Sequence, residues 1–138
     1  MKEIALTIYV QRLIDRRENG LVRIFTGLSR AGKSYLLFKL YYDHLIASGV
    51  ADDHIIRIAL DDEQNKDVLD TKLLRLYIEE RMIDSSMCYL FLDEIQLLGR
   101  FEGLLNSLGR IHNLDIYVTG SNSRFLSTDI LTEFRGKR

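Results

Sequence analysis

Residues 27–34 carry the pattern of a phosphate-binding loop, Gly-Leu-Ser-Arg-Ala-Gly-Lys-Ser. The glycines allow backbone N–H groups to turn toward phosphate oxygens, and the N-terminus of a following helix adds favourable partial charge. In such a loop Lys33 contacts the β- and γ-phosphates of ATP, and the Ser34 hydroxyl ligates Mg²⁺. A glycine turn that binds nothing is the alternative, but all four diagnostic positions and both flanks favour the nucleotide site. The residues expected to contact the nucleotide are Gly27, Leu28, Ser29, Arg30, Ala31, Gly32, Lys33, Ser34 and Tyr35.

A second candidate element is the acidic pair Asp93-Glu94, which follows a short apolar run at 88–92 that is typical of a buried strand. Open α/β sheets bind ligands at the carboxyl ends of their strands. We therefore expect Asp93 to ligate Mg²⁺ together with Ser34, and Glu94 to orient and deprotonate an attacking water. The alternative is that both acids only cap the next helix, but the phosphate-loop pattern upstream favours the catalytic interpretation.

The third element is the polar stretch Thr119-Gly120-Ser121-Asn122, which follows the apolar run at 114–118. In parallel sheets of this kind the fourth strand lies between the first and the third, so its polar end faces the γ-phosphate. We expect Ser121 or Asn122 to hydrogen-bond the attacking water, with Thr119 behind them. A Gly/Asn turn selected only for its backbone angles remains the alternative.

The composition is that of an ordinary globular chain, with 138 residues, 46% hydrophobic content, 28% charged content and a net charge of −1. The length predicts one domain, and the near-neutral charge does not indicate a nucleic-acid partner. The single Cys88 cannot form an internal disulfide and is expected in the core of a protein from a reducing compartment. No apolar run approaches the ~20 residues of a membrane span. We therefore expect a cytoplasmic protein without a membrane partner.

Strand and helix patterns alternate along the chain and must position these side chains. Alternation of this kind predicts a parallel sheet with right-handed crossovers. Together with the phosphate loop and the acidic pair, it resembles the three-layer α/β fold of P-loop NTPases. Phosphate-loop ATPases with a catalytic glutamate usually order their strands 5-1-4-3-2, which implies the order 1-4-3-2 for the four strands predicted here. Strands are predicted at 21–26, 54–60, 88–92 and 114–118. Helices are predicted at about 4–17, from the phosphate loop to about 48, at 67–82, at 101–112, and from 123 or 127 to about 134.

With these elements in place, the chain resembles bacterial and archaeal AAA-type ATPases whose core is followed by a C-terminal DUF4143 domain. The resemblance covers residues 27–37, 91–96, 118–123 and 131–136. The family's loop usually carries two arginines, of which the first is Ser29 here, and its closing Arg-Gly-Arg is Arg135-Gly136-Lys137. The resemblance implies ATP hydrolysis, with Arg135 reaching the γ-phosphate of a neighbouring subunit. It also implies a longer protein, so that residues 1–138 would be a truncated core without the C-terminal part.

Three functions are compatible with these residues. The first is Mg²⁺-dependent ATP hydrolysis that drives conformational change, weakly in a truncated form and with self-association or an unknown protein as partner. The second is a small-molecule kinase, which the adjacent Glu94 and the absence of an arginine-rich lid disfavour. The third is a nucleotide-gated binding module with little turnover, which the apparent truncation makes plausible.

Four predicted strands would leave the first strand as an edge of the sheet, because the fifth strand of such folds would be missing. A free apolar edge exposes unpaired N–H and C=O groups and invites pairing with another chain. We therefore expect either a second copy or the N-terminal helix to cover residues 21–26.

Overall fold

A five-stranded sheet organises the part of the chain that the computed structural model describes, which is residues 2–26, 30–120 and 131–134. Its spatial order is β2-β3-β4-β1-β5, and the first four of these are parallel neighbours. This confirms the predicted α/β fold with parallel strands in the order 1-4-3-2. The strands are β1 (Val22–Phe25), β2 (Ile55–Ala59), β3 (Cys88–Asp93), β4 (Leu114–Thr119) and β5 (Leu131–Phe134).

The first strand is not an edge, because β5 pairs with it in the antiparallel direction. Ile24 lies opposite Val118 of β4 on one side and Thr132 of β5 on the other. The expected missing fifth strand, and the cover by a second copy or by the N-terminal helix, are therefore wrong. The expected helix up to about Phe134 is also wrong over residues 131–134. Pairing gives the N–H and C=O groups of β1 internal partners, and this gain outweighs any local helical preference of four residues.

Four helices of eight or more residues accompany the sheet in the described part of the chain, and none of them is long and apolar enough to cross a membrane. They are α1 (Lys2–Asp15), α2 (residues 30–47), α3 (Thr71–Arg81) and α4 (Phe101–Leu108). The start of α3 lies later than predicted because the Asp70 carboxylate accepts hydrogen bonds from the Lys72 and Leu73 N–H groups and so caps the helix there.

The middle of α2 departs from α-helical geometry. Residues Leu36–Tyr41 are π-helical, between α-helical segments Arg30–Tyr35 and Tyr42–Ala47. The Tyr42 N–H accordingly bonds to the Leu37 carbonyl, five residues earlier. Such segments are rare and occur frequently at functional sites.

The helices cover the two faces of the sheet and produce the predicted three layers. Successive side chains of a strand point to opposite faces, so each buried strand supplies residues to both sides. One face packs on α1 and α2 through residues that include Leu13, Phe25, Leu37, Tyr41, Phe91 and Tyr117. The other face packs on α3 and α4 through residues that include Ile24, Leu74, Ile78, Leu90, Leu105 and Val118.

Candidate functional site

The carboxyl ends of β1, β3 and β4 meet at one edge of the sheet, next to the start of α2. Phe25 pairs with Thr119 in the register of β1 and β4, and Leu92 pairs with Val118 in that of β3 and β4. The Gly120 N–H donates to the Phe25 carbonyl at 2.9 Å and extends this alignment past the end of β4. The side chains that follow these strands are therefore held in a single polar region.

The Asp93 carboxylate is fixed through both of its oxygens. The Ser34 hydroxyl donates to Oδ2 at 2.7 Å, and the Thr119 hydroxyl donates to Oδ1. Asp93 is only 4% exposed. Because the two donors come from α2 and β4, they set the orientation of the carboxylate relative to the phosphate-loop helix.

Lys33 lies on the other side of this arrangement. Its Nζ donates to the Gly120 carbonyl at 2.7 Å and lies 3.7 Å from Oε1 of Glu94. The Lys33 side chain is 7% exposed, so its ammonium group faces protein oxygens rather than bulk water. One lysine and two carboxylates give this region a net charge of about −1, which favours a divalent cation.

Glu94 has a backbone conformation that is uncommon for a residue other than glycine, with φ 61° and ψ 51°. Its N–H donates to the Thr119 hydroxyl at 2.9 Å, which holds this left-handed turn in place. The next helical turn, Ile95–Leu97, receives no side-chain capping bond from Glu94. The Glu94 side chain therefore does not cap this turn by a hydrogen bond, and its carboxylate lies near Lys33 instead.

The donor set fits Mg²⁺. The Ser34 hydroxyl and the Asp93 carboxylate are hard oxygen ligands held against each other, and Mg²⁺ in phosphate sites takes only one or two protein ligands beside phosphate and water. No cluster of three or more His, Cys, Asp or Glu residues suited to a metal occurs in the described residues. A metal here would therefore depend on oxygens of a bound phosphate to complete its shell.

A protein-family model for an AAA domain matches residues 9–138. The chain belongs to this AAA domain family. Two curated relatives are similar: an uncharacterized protein of Haemophilus influenzae, 32% identical over 130 residues, and the uncharacterized protein MJ1544 of Methanocaldococcus jannaschii, 31% identical over 120 residues. The alignments cover 94% and 84% of this chain but only 32% and 24% of the relatives, so the chain spans a third or less of the length of these two proteins. No solved structure matches the chain significantly.

The loop that the motif predicts to bind a nucleotide is described from Arg30 onward. Residues 30–35 form the first segment of α2, as the motif predicts, and Tyr35 in this segment is 40% exposed. Phe134 pairs with Val22, at the end of β1 farthest from the loop, and is the last described residue before Arg135. Six of the predicted site residues lie outside the described residues: Gly27, Leu28, Ser29, Ser121, Asn122 and Arg135.

Two residues of the candidate site, Thr119 and Gly120, make more contacts in the structure than the sequence indicates. Thr119 was expected only to support Ser121 or Asn122, yet its hydroxyl bonds both the Asp93 carboxylate and the Glu94 backbone. Gly120 was expected only as a turn, yet its carbonyl accepts from Lys33. A signal for Thr119 was present, because a hydroxyl at the end of a fully buried strand requires hydrogen-bond partners.

Proposed function

We propose that this AAA domain binds ATP with Mg²⁺ and hydrolyses it to drive conformational change. The observation that carries the proposal is the 2.7 Å bond between the Ser34 hydroxyl and the Asp93 carboxylate, which pairs the hydroxyl of the loop motif with the acid that ends β3. The AAA family and the Gly-Lys-Ser motif support a nucleoside triphosphate as the ligand.

In this proposal Lys33 binds the β- and γ-phosphates, and phosphate oxygens replace the Gly120 carbonyl as the acceptor of its ammonium group. Ser34 and Asp93 hold Mg²⁺, which when bound neutralises charge on the phosphate oxygens. The Thr119 hydroxyl keeps the Asp93 carboxylate turned toward Ser34. These residues account for binding and orientation of the substrate.

Glu94 is proposed as the general base that accepts the proton of the attacking water. Its carboxylate lies 3.7 Å from Lys33 Nζ, so the base and the phosphate-binding cation are neighbours. Ser121 or Asn122, directly after the anchored Gly120, would orient the same water. Arg135 is proposed to reach the γ-phosphate of a neighbouring subunit, which agrees with the position of Phe134 far from the loop of its own chain.

The proposal also includes a cytoplasmic setting and kinship with ATPases that carry a DUF4143 domain. A nucleotide-gated binding module with little turnover is the second candidate, since the proposed binding by the phosphate loop and Asp93 does not depend on the base Glu94. A small-molecule kinase is disfavoured, because a carboxylate base beside the phosphate-binding lysine suits activation of water.

Phosphate release from MgATP, together with calorimetric binding, tests the proposal with Lys33→Ala and Glu94→Gln. We expect Lys33→Ala to lose most nucleotide affinity, and Glu94→Gln to retain affinity while hydrolysis falls by roughly 10²- to 10⁴-fold. Glu102→Gln, at an exposed position of α4, is the matched control and should behave as wild type.

Three outcomes distinguish the candidates. Affinity that survives Lys33→Ala would exclude the site itself. Tight wild-type binding without phosphate release would favour the binding module, and phosphorylation of added small molecules would favour the kinase.

A further inference from the structure

A chain of buried polar groups lies on the α2 side of the sheet, below the nucleotide site. Arg23 of β1 and Asp115 of β4 form an ion pair in which neither side chain is more than 2% exposed. The Tyr117 hydroxyl donates to Asp115, and the Tyr41 hydroxyl lies 2.7 Å from that of Tyr117. We refer to these four residues as the Tyr41–Arg23 network.

The direction of these bonds follows from proton counting. A tyrosine hydroxyl has one proton, and that of Tyr117 goes to Asp115, so Tyr41 is the donor to Tyr117. Burial raises the pKa of Tyr41, and burial and then the Asp115 charge raise the pKa of Tyr117 well above its ordinary value. Both hydroxyls therefore stay protonated, and the chain of donors from α2 to Asp115 is intact at physiological pH.

The network is attached to the strands that carry the site. Arg23 and Tyr117 are register partners, and the Arg23 guanidinium lies 4.2 Å from the centre of the Tyr117 ring. Tyr117 precedes Thr119 by two residues, so both side chains point to the same face. A change in the position of Tyr117 would therefore act on the strand that holds Asp93 and Glu94 through Thr119.

On the helix side, the network ends at the last residue of the π-helical segment. Lys33 and Tyr41 are eight residues apart, which in a regular α-helix of 3.6 residues per turn would separate them by about 80° around the axis. The wider turns of Leu36–Tyr41 reduce this offset and keep both side chains buried toward the sheet. The segment thus aligns the phosphate-binding lysine with the hydroxyl that reaches Tyr117.

The opposite end of the network is anchored by the turn after α1. The Glu18 N–H donates to Asp115 at 3.0 Å, and Arg23 donates to the Arg16 carbonyl at 3.3 Å and to the Asn19 side chain. The Asp115 carboxylate is thereby held by donors from the turn, from β1 and from β4. The hydroxyls of Tyr117 and Tyr41 connect this carboxylate to α2.

We propose that Tyr41 and Tyr117 are positioning residues that set α2, and with it Lys33 and Ser34, against Asp93 and Thr119 for nucleotide binding. The proposal rests on the nucleotide function proposed above. The two hydroxyls do not touch the nucleotide; they fix the helix that carries the phosphate-binding side chains to a buried ion pair of the sheet. Replacement of either tyrosine by phenylalanine keeps the ring in the core but removes this attachment.

The test compares Tyr41→Phe, Tyr117→Phe and the double variant with Tyr42→Phe as matched control. Tyr42 is the next residue of α2, but its hydroxyl bonds to the exposed Asp52 instead of the network. Calorimetry with MgADP measures affinity without requiring turnover. Hydrogen exchange of residues 30–41, measured without nucleotide, reports directly on the attachment of α2.

For Tyr41→Phe we expect exchange in residues 30–41 to accelerate and MgADP affinity to fall, each by roughly fivefold, the equivalent of one hydrogen bond between neutral groups. The double variant should cost no more than Tyr117→Phe alone, because the Tyr41 hydroxyl reaches Asp115 through that of Tyr117. Tyr42→Phe should match wild type in both measurements. Should Tyr117→Phe fail to fold, Tyr41→Phe carries the test, since it leaves every donor to Asp115 in place.

Unchanged exchange and affinity in Tyr41→Phe would overturn the inference, and so would accelerated exchange with wild-type affinity, which would make the network purely structural. Failure of the proposed function looks different: wild type would not bind MgADP at all. Exchange would then still decide whether Tyr41 fixes α2, because that measurement needs no ligand.

Discussion

The Ser34 hydroxyl and the Asp93 carboxylate, 59 residues apart in sequence, are hydrogen-bonded at 2.7 Å. This contact joins the first segment of α2 to the carboxyl end of β3 and makes the loop and the acidic pair a single site. The third member of the contact is Thr119, which holds the other carboxylate oxygen. A substitution at Thr119 therefore tests the orientation of the Asp93 carboxylate without removing a proposed Mg²⁺ ligand.

Thr119→Val should weaken the Mg²⁺ dependence of nucleotide binding. Partners that orient a metal ligand typically contribute 10- to 100-fold in metal affinity, and we expect a loss of roughly this size. Thr119→Ser keeps the hydroxyl and should remain close to wild type. Magnesium titrations in the presence of ADP measure the effect, and a valine variant with wild-type Mg²⁺ dependence would show that Asp93 is oriented by other contacts.

Asp115→Ala should strongly destabilise the fold. It leaves the Arg23 guanidinium buried without its carboxylate, and breaking a buried ion pair in this way typically costs about 3–5 kcal/mol in the free energy of unfolding. Asp43→Ala breaks an exposed pair with Lys39 on α2 and should have no measurable effect. Urea denaturation of both variants provides the comparison, and equal stabilities would contradict the assignment of a buried charge pair.

The stability of the protein should decrease above neutral pH through His54. Hydrogen bonds to Asp84 and then Asp53 raise the pKa of His54 above its ordinary value of 6.5. A raised histidine pKa contributes stability that is complete below about pH 6.5 and is lost as the pH rises through the raised value. The pKa of Asp84 is lowered, first by the Ser86 backbone and then by His54, so its contribution is lost only in acid.

The measurement is the difference in unfolding free energy between wild type and His54→Gln, taken at about pH 5 and about pH 9. We expect this difference to favour wild type at the lower pH and to shrink at the higher pH. His112→Gln, at an exposed position, is the matched histidine control. A His54 difference that does not change with pH would contradict the proposed ion pairs.

Removal of residues 131–138 should make the protein self-associate. The deletion takes away β5 and leaves the second side of β1 without a partner, which exposes N–H and C=O groups that another chain can pair with. Deletion of residues 135–138 alone preserves β5 and should leave the association state unchanged. Light scattering after size exclusion distinguishes the two, and equal molar masses would show that β5 does not protect this edge.

The parallel sheet was predictable because each of its strands is a short apolar run followed by polar residues, as in 88–92 before Asp93. The helix ends were less predictable. The Asp70 side chain caps α3 and fixes its start, and hydrophobic periodicity does not indicate such a cap. β5 was not predicted because a segment of four residues is too short to show a hydrophobic periodicity. Its pairing partner, β1, also lies more than a hundred residues earlier in the chain.

Four site residues were predictable, because their types and their order along the chain are typical of phosphate and Mg²⁺ binding by phosphate-loop proteins: Lys33, Ser34, Asp93 and Glu94. The Tyr41–Arg23 network was not predicted. A signal did exist in the sequence: β1 and β4 each carry one charged residue of opposite sign within an apolar run, Arg23 and Asp115. Such a pair in neighbouring buried strands indicates an ion pair, because isolated charges are not tolerated in a core.

Both neighbours of β1 come from late in the chain, and this imposes an order on assembly. Asp115 of β4 lies 92 residues after its partner Arg23, and β5 follows later still. During synthesis from the N-terminus, β2 and β3 can pair before β4 has been made. β1 has neither of its partners at that stage, because both β4 and β5 come later in the chain. The strand that leads into the phosphate loop therefore gains its neighbours late, and the proposed nucleotide site, which includes residues of β4, cannot form until β4 has emerged.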